Sequence, residues 1–158
     1  MAAVRGIPEG FHSLTPYLTC RDAPKAMDFY KRAFGATELS RSPGPDGKII
    51  NAQMRIGDSV FMLAEENLEW EAPSPLALKG SPVSVQIYVE DADKVFDAAV
   101  AAGASVNMAM DDAFWGDRWG SITDPFGHKW SIATHARDMS QDEMKRAGDE
   151  FFSKMQNA

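Results

Sequence analysis

The amino-acid sequence predicts an α+β protein made of two tandem β-α-β-β-β units followed by a C-terminal amphipathic helix. Alternating polar and apolar segments over 13–20 and 83–89 are each followed by a helical segment that begins Asp-Ala-x-Lys-x-x-Asp. Strand-like stretches punctuated by glycine-containing turns come after each helix. Because the same order of elements occurs twice, we interpret the chain as an internal duplication.

Length and composition favour a single acidic domain over residues 1–158. The net charge of −7 argues against nucleic acid and anionic membranes as partners. No apolar run approaches the about 20 residues that span a bilayer. The single cysteine, Cys20, excludes an internal disulfide. Together with an N-terminus that lacks the apolar stretch of a secretory signal, this predicts a cytoplasmic protein.

The first unit covers about 11–66 and opens with a strand whose Pro16 indicates an edge or a bulge. Asp22 is positioned to cap the following helix at its start, and Pro24 fits the first turn, where its missing N–H has no cost. Gly35 fits the C-terminal cap of the same helix. The segment Gly44-Pro45-Asp46-Gly47 then predicts a hairpin turn between two strands.

The second unit covers about 83–135 and is joined to the first by a proline-containing linker, 67–82. A separate helix is predicted over about 140–156, where Ser140-Gln141-Asp142-Glu143 forms a capping box. Its apolar residues recur at helical spacing and must be buried, either on the same chain or on a second subunit.

Three segments carry a family resemblance over about 11–135: DAPKAMDFYKRAFGA, PDGKIINAQMRIGDSVFMLAEE and FWGDRWGSITDPFGHKWSIATH. They resemble the vicinal oxygen chelate superfamily, which contains glyoxalase I, the bleomycin-resistance proteins and the extradiol dioxygenases, and in particular its PhnB-like branch. The resemblance implies curved mixed sheets around a cavity, and a homodimer.

Metal-dependent members of that superfamily bind a divalent ion with one side chain from the first and last strands of each unit. The resemblance places these four positions on Thr15, Met62, Ser84 and Ser131. Hydroxyl and thioether groups do not suit nickel, zinc, iron or manganese. We therefore expect no metal cofactor at the family position.

Strand parity predicts which side chains face the cavity, because successive side chains point to opposite faces. Leu14, Leu18 and Cys20 are then expected to face the helices, with Cys20 as an inert core thiol. The cavity is predicted to be neutral, moderately polar and aromatic at its rim, which suits a small organic ligand. The expected ligand-binding residues are Thr15, Tyr17, Met62, Ser84, Gln86, Tyr88, Phe114, Trp115, Trp119 and Ser131.

Several residues in this set have a second interpretation. The aromatic residues at 114, 115 and 119 equally fit a core or a dimer interface. Asp117 and Arg118 are expected to form a local ion pair rather than an acid–base pair. The histidines are expected at strand ends and in a turn, although His12 and His135 could form a non-standard metal site with Asp138 if the fold brings them together.

Three functions are compatible with these residues. The first is a glyoxalase/bleomycin-resistance-like protein that binds a small organic molecule without the usual metal. The alternative is a divergent glyoxalase-type lyase or isomerase with a divalent ion at a non-standard site. The third is an interaction module that acts through the C-terminal helix.

Overall fold

The computed structural model describes residues 4–158 and contains two sheets and four α-helices. The first unit has strands β1 (Tyr17–Cys20), β2 (Thr37–Pro43), β3 (Ile49–Ile56) and β4 (Ser59–Glu65), and helix α1 (Ala23–Phe34). A short helix, α2 (Pro75–Leu78), lies in the linker. The second unit has strands β5 (Ser84–Tyr88), β6 (Ser105–Asp112), β7 (Asp117–Thr123) and β8 (Lys129–His135), and helix α3 (Ala92–Ala101). Helix α4 (Gln141–Gln156) follows.

Both sheets have the same topology, which confirms the internal duplication. The first sheet has the order β1-β4-β3-β2 and the second has the order β5-β8-β7-β6. In each sheet the first strand pairs in parallel with the last, and the remaining pairs are antiparallel. The predicted α+β fold of two tandem units is therefore correct.

Local signals in the sequence determine where the helices begin and end. The Asp22 carboxylate accepts a hydrogen bond from the Lys25 amide, and Gly35 ends α1 in the left-handed conformation. At α4 the Ser140 hydroxyl accepts from the Glu143 amide, and the Glu143 carboxylate accepts from the Ser140 amide. All three predicted caps are thus confirmed.

The first strand is shorter than its alternation predicts. It begins at Tyr17 rather than at residue 13, because Pro16 has no N–H for the ladder, although the Pro16 carbonyl still accepts from the Met62 amide at 2.8 Å. Leu14 consequently lies outside the sheet and is 89% exposed, so its expected packing against the helices is wrong. The expected edge position of this strand is correct, because β1 ends the sheet order.

One apolar core joins the two units. Helices α1 and α3 pack against each other, and Tyr30 and Phe34 of α1 contact Trp130 of β8 with ring centroids 5.4 and 4.7 Å apart. Leu18 and Cys20 lie in this core, as strand parity predicts. Burial raises the pKa of the Cys20 thiol to about 12, which keeps it in the unreactive protonated form.

Asp124 lies inside this core and connects the units through hydrogen bonds. Its Oδ2 accepts from the Tyr30 hydroxyl at 2.7 Å and from the Trp130 indole N–H at 2.9 Å. Its Oδ1 accepts from the backbone N–H groups of Phe126 and His128 at 2.9 Å each, which closes the turn before β8. The same carboxylate therefore holds a turn of the second unit and a helix of the first.

The C-terminal helix makes its main described contacts with the β6–β7 hairpin. Phe114 lies 5.4 Å from Phe151 and 5.8 Å from Phe152 between ring centroids. Gly148 allows this approach, because an added Cβ would be only 3.3 Å from the Phe114 ring. The rest of the apolar stripe stays exposed in the single chain, including Met155 at 62%. None of the helices within residues 4–158 has the length and apolarity needed to cross a membrane.

Candidate functional site

A cleft of about 880 Å³ lies where the two units meet. Its apolar floor comes from core aromatic and aliphatic side chains of both units, including Phe34, Phe61 and Trp130. Both faces of strand β5 line the cleft, since this strand is the free edge of its sheet. The polar wall includes Gln86, Tyr88, Thr134 and His135. The volume lies within the range of small-molecule sites, about 300–1,000 Å³.

The expected ligand-binding residues are distributed over three places. Gln86 and Tyr88 line the cleft. Ser84 shares their exposed face of β5, and Ser131 lies opposite Gln86 on β8 but is only 8% exposed. Tyr17 and Met62 are paired on the first sheet, with Thr15 just before it. Phe114, Trp115 and Trp119 lie at the β6–β7 hairpin.

Asp117 is the centre of a polar cluster at one end of the cleft, which we call the Asp117 cluster: Tyr88, Trp115, Asp117 and His135. The Asp117 side chain is 4% exposed. Its Oδ2 accepts from the Tyr88 hydroxyl at 3.0 Å and from the Trp115 indole N–H at 3.1 Å. The Nδ1 of His135 lies 2.9 Å from its Oδ1. Three donors from three different elements thus compensate for burial of this carboxylate.

The expected ion pair between Asp117 and Arg118 is wrong. Neighbouring residues in a strand point to opposite faces, so the two side chains diverge. The Arg118 guanidinium instead pairs with Asp93 of α3 at 2.9 Å and with Asp112 at 3.4 Å. This leaves the Asp117 carboxylate free of a permanent positive charge from its neighbour and available to the histidine.

His135 is held between two carboxylates. Its Nε2 lies 2.9 Å from Asp138 Oδ1, and its Nδ1 contacts Asp117 on the other side of the ring. Hydrogen bonds to Asp138 and then to Asp117 raise the pKa of His135 above 6.5. The imidazole is about half exposed, at 55%, so it can exchange protons with solvent or with a molecule in the cleft.

We expect Asp138→Asn to lower the pKa of His135, because the neutral amide no longer favours the imidazolium. The raised pKa in the folded protein means that the His135 interactions stabilise the fold fully below pH 6.5 and lose this effect as the pH rises through the folded pKa. Titration of the His135 ring protons by NMR measures the pKa, and urea unfolding at pH values below and above it measures the change in stability.

Asp142→Asn is the control for this titration, because Asp142 lies in the first turn of α4 and carries the same formal charge. This variant should leave the His135 titration unchanged. An identical pKa in wild type and Asp138→Asn would contradict the role assigned to Asp138.

Trp115 of the Asp117 cluster packs against neighbouring aromatic rings and is also partly exposed. The Trp115 ring meets Trp119 in an edge-to-face arrangement at 5.7 Å and Phe114 at 5.1 Å. All three are partly exposed, while Trp130 is fully buried in the core. Trp115 therefore supports the Asp117 carboxylate through its N–H and also presents part of its ring at the surface.

The four side chains at the positions that the family resemblance assigns to a metal do not fit a divalent cation. Two serines, a threonine and a methionine offer no imidazole, carboxylate or thiolate ligand. His12 and His135 both line the cleft. However, the carboxylates near His135 bind opposite edges of its ring and do not converge on one point. Within residues 4–158, no three His, Cys, Asp or Glu side chains come close enough to hold a metal ion.

Sequence reasoning missed the Asp117 cluster and the role of Asp124. Parity placed Tyr88 on the cavity-facing side of its strand, but it could not show that Tyr88 and His135 both contact Asp117. The role of Asp124 depends on Tyr30, which lies 94 residues earlier in the chain. His128, expected in a turn, is also partly buried, with Nε2 2.9 Å from the Thr19 carbonyl.

The duplicated fold agrees with the family and the relatives that comparison with known proteins finds. The model of the Glyoxalase/Bleomycin resistance protein/Dioxygenase superfamily matches residues 10–132. The uncharacterized protein Mb0911c of Mycobacterium bovis is 43% identical over 138 residues, which cover 85% of this chain and 91% of that protein.

Solved structures share the fold. The crystal structure of TioX from Micromonospora sp. ML1 has a TM-score of 0.61 and 28% identity, and the match covers 78% of this chain and 98% of TioX. A PhnB protein from Bacillus cereus has a TM-score of 0.60 at 20% identity, with 78% of this chain and 99% of that chain covered. With the duplicated topology, these matches show that the chain belongs to the Glyoxalase/Bleomycin resistance protein/Dioxygenase superfamily, as its motifs predicted.

Proposed function

We propose that this protein binds a small organic molecule in the cleft between its two units, without a divalent metal at the family position. The observation that carries the proposal is an open cleft of about 880 Å³ with an apolar floor and a few hydrogen-bonding groups on one wall. Such a combination provides affinity through burial of apolar surface and orientation through polar contacts.

The polar wall is organised for recognition by the Asp117 cluster. Tyr88 is 61% exposed, but its hydroxyl is fixed by Asp117. Its ring is therefore held in place and offers a face on which a planar ligand can stack at little cost in side-chain entropy. Gln86 lies two residues before Tyr88 on the same face of β5. Its side-chain amide adds a hydrogen-bond donor and an acceptor.

Two features support the homodimer that the family resemblance implies. Every residue of strand β2 is exposed in the single chain, and so is much of the apolar stripe of α4. A second copy that covers these surfaces would bury apolar area that otherwise contacts water. The homodimer stays a prediction, and binding in the cleft does not depend on it.

We expect para-nitrobenzyl alcohol to quench the tryptophan fluorescence saturably in the presence of a chelator, because Trp130 lies in the cleft floor and Trp115 beside its wall. Tyr88→Leu should weaken binding about fivefold to tenfold, since loss of an aromatic contact costs about 1 kcal/mol. Fluorescence titration, corrected for absorption by the probe, measures both dissociation constants.

The matched control is Tyr17→Leu. Tyr17 occupies the first strand of the other unit and is also half exposed, but it does not line the cleft. Equal weakening by Tyr17→Leu and Tyr88→Leu would contradict binding at the cleft. Quenching that rises linearly without saturation would contradict the binding function itself.

A further inference from the structure

We propose that the cleft selects organic cations, that is, amines attached to an apolar or aromatic body. The inference rests on the proposed binding function and adds the charge class of its ligand. Its basis is the charge of the side chains that line the cleft together with the apolar character of the floor.

The permanently charged residues that line the cleft are acidic, which differs from the neutral cavity that the sequence predicts. Asp58 from the β3–β4 turn and Glu90 after β5 line it, one from each unit, and both are exposed. Among the described residues that line the cleft there is no lysine or arginine. The permanently charged groups on the lining are therefore all negative, and they attract a cation.

The two histidines of the cleft lining do not make its net charge positive. His135 carries a positive charge when protonated, but Asp117 and Asp138 each lie 2.9 Å from one of its ring nitrogens. This group of one imidazolium and two carboxylates keeps a net negative charge. His12 is the other histidine of the lining, and it is exposed.

The neutral part of the lining fits the remainder of such a ligand. Apolar side chains of Val85, Ile87 and Trp130 form the floor, and the exposed Tyr88 ring at the wall can meet either a planar group or the cationic head. An apolar body would then be buried between the units while the ammonium group stays near the carboxylates at the cleft mouth. The interaction needs no metal and no covalent step.

Three probes of one size and different charge test the proposal: para-nitrobenzylamine, para-nitrobenzyl alcohol and para-nitrobenzoate. At neutral pH and low salt the amine should bind about tenfold or more tightly than the alcohol, and the benzoate should bind most weakly. Raising the salt concentration should reduce the preference, because exposed charges are screened. Tryptophan quenching gives all three dissociation constants.

The double variant Asp58→Asn/Glu90→Gln should reduce the preference for the amine over the alcohol to about twofold. The control is Glu69→Gln/Glu71→Gln, which changes the net charge equally at exposed linker positions outside the cleft lining. This control should keep the full preference.

The outcomes separate this inference from the proposed function. Equal binding of the amine and the alcohol, or tighter binding of the benzoate, overturns the cation preference and leaves small-molecule binding intact. An equal loss of preference in both double variants also overturns it, because the effect would then come from net charge and not from the cleft. Failure of all three probes to bind saturably counts against the binding function.

Discussion

Replacing Asp124 with alanine should lower the free energy of unfolding by about 3–5 kcal/mol. The substitution leaves the Tyr30 hydroxyl and the Trp130 indole N–H without their shared acceptor in the core. A buried donor with no partner costs about 1–3 kcal/mol, and the closed turn before β8 is lost as well. Urea unfolding followed by near-UV circular dichroism measures the change.

Asp124→Asn keeps the shape of the side chain, so it separates the contribution of the hydrogen bonds from the contribution of packing. Its amide nitrogen would meet two donors, of which only the Tyr30 hydroxyl can also accept, so we expect an intermediate loss of about 2–3 kcal/mol. This variant also provides a value if the alanine variant does not fold.

The control is Asp46→Ala in the β2–β3 turn of the first unit. There the carboxylate accepts one hydrogen bond from the described residues, from the Lys48 amide at 3.0 Å, and the side chain is exposed. Its loss should cost less than about 1 kcal/mol. A similar small effect at Asp124 would show that the shared carboxylate does not stabilise the junction of the units.

The second large effect is expected from Gly116→Ala at the tip of the β6–β7 hairpin. Gly116 has φ of +99°, and an added Cβ would lie 2.6 Å from the Arg137 carbonyl oxygen. The backbone there cannot move freely, because the amides of Ala136 and Arg137 both donate to the Gly116 carbonyl at 3.0 Å. We expect a loss of about 2–4 kcal/mol, measured by urea unfolding.

Gly47→Ala isolates the contribution of the backbone conformation. Gly47 also has a positive φ, +78°, but open space surrounds its missing side chain. This variant should cost only about 1–2 kcal/mol. An equal loss in the free energy of unfolding for the two alanine variants would show that the close contact with Arg137 does not destabilise the fold.

The hairpin variant should also disturb the candidate site. Gly116 contacts the segment that carries His135 and Asp138, and it lies between Trp115 and Asp117 in the chain. Displacing this segment would change both hydrogen bonds of the imidazole. The NMR titration of His135 in Gly116→Ala should therefore differ from wild type, whereas that in Gly47→Ala should not.

The site also clarifies how this chain differs from metal-dependent relatives. The four positions that the family resemblance assigns to the metal ligands hold hydroxyl and thioether side chains here. The polar group organised beside the cleft is instead the Asp117 cluster, which shares Tyr88 and His135 with the cleft. Binding through stacking, hydrogen bonds and charge is the chemistry that these residues support.

The sequence by itself determined the elements, their caps and the duplication. These features depend on neighbours a few residues apart: Asp22 and Gly35 at the ends of α1, the capping box of α4, and the alternation that places Leu18 and Cys20 in the core. The superfamily could be predicted too, because its motifs lie in continuous segments of the chain.

Only the tertiary structure decided where the polar side chains meet. Asp117 accepts hydrogen bonds from β5, the hairpin and β8, and the cleft is lined by residues of both units, whose helices α1 and α3 pack together. Arg118 shows why ion-pair partners could not be predicted from the sequence. Its partner Asp93 lies 25 residues away on a helix and not next to it in the chain. Local patterns predict which face a side chain occupies, but pairing across that face depends on how separate elements pack.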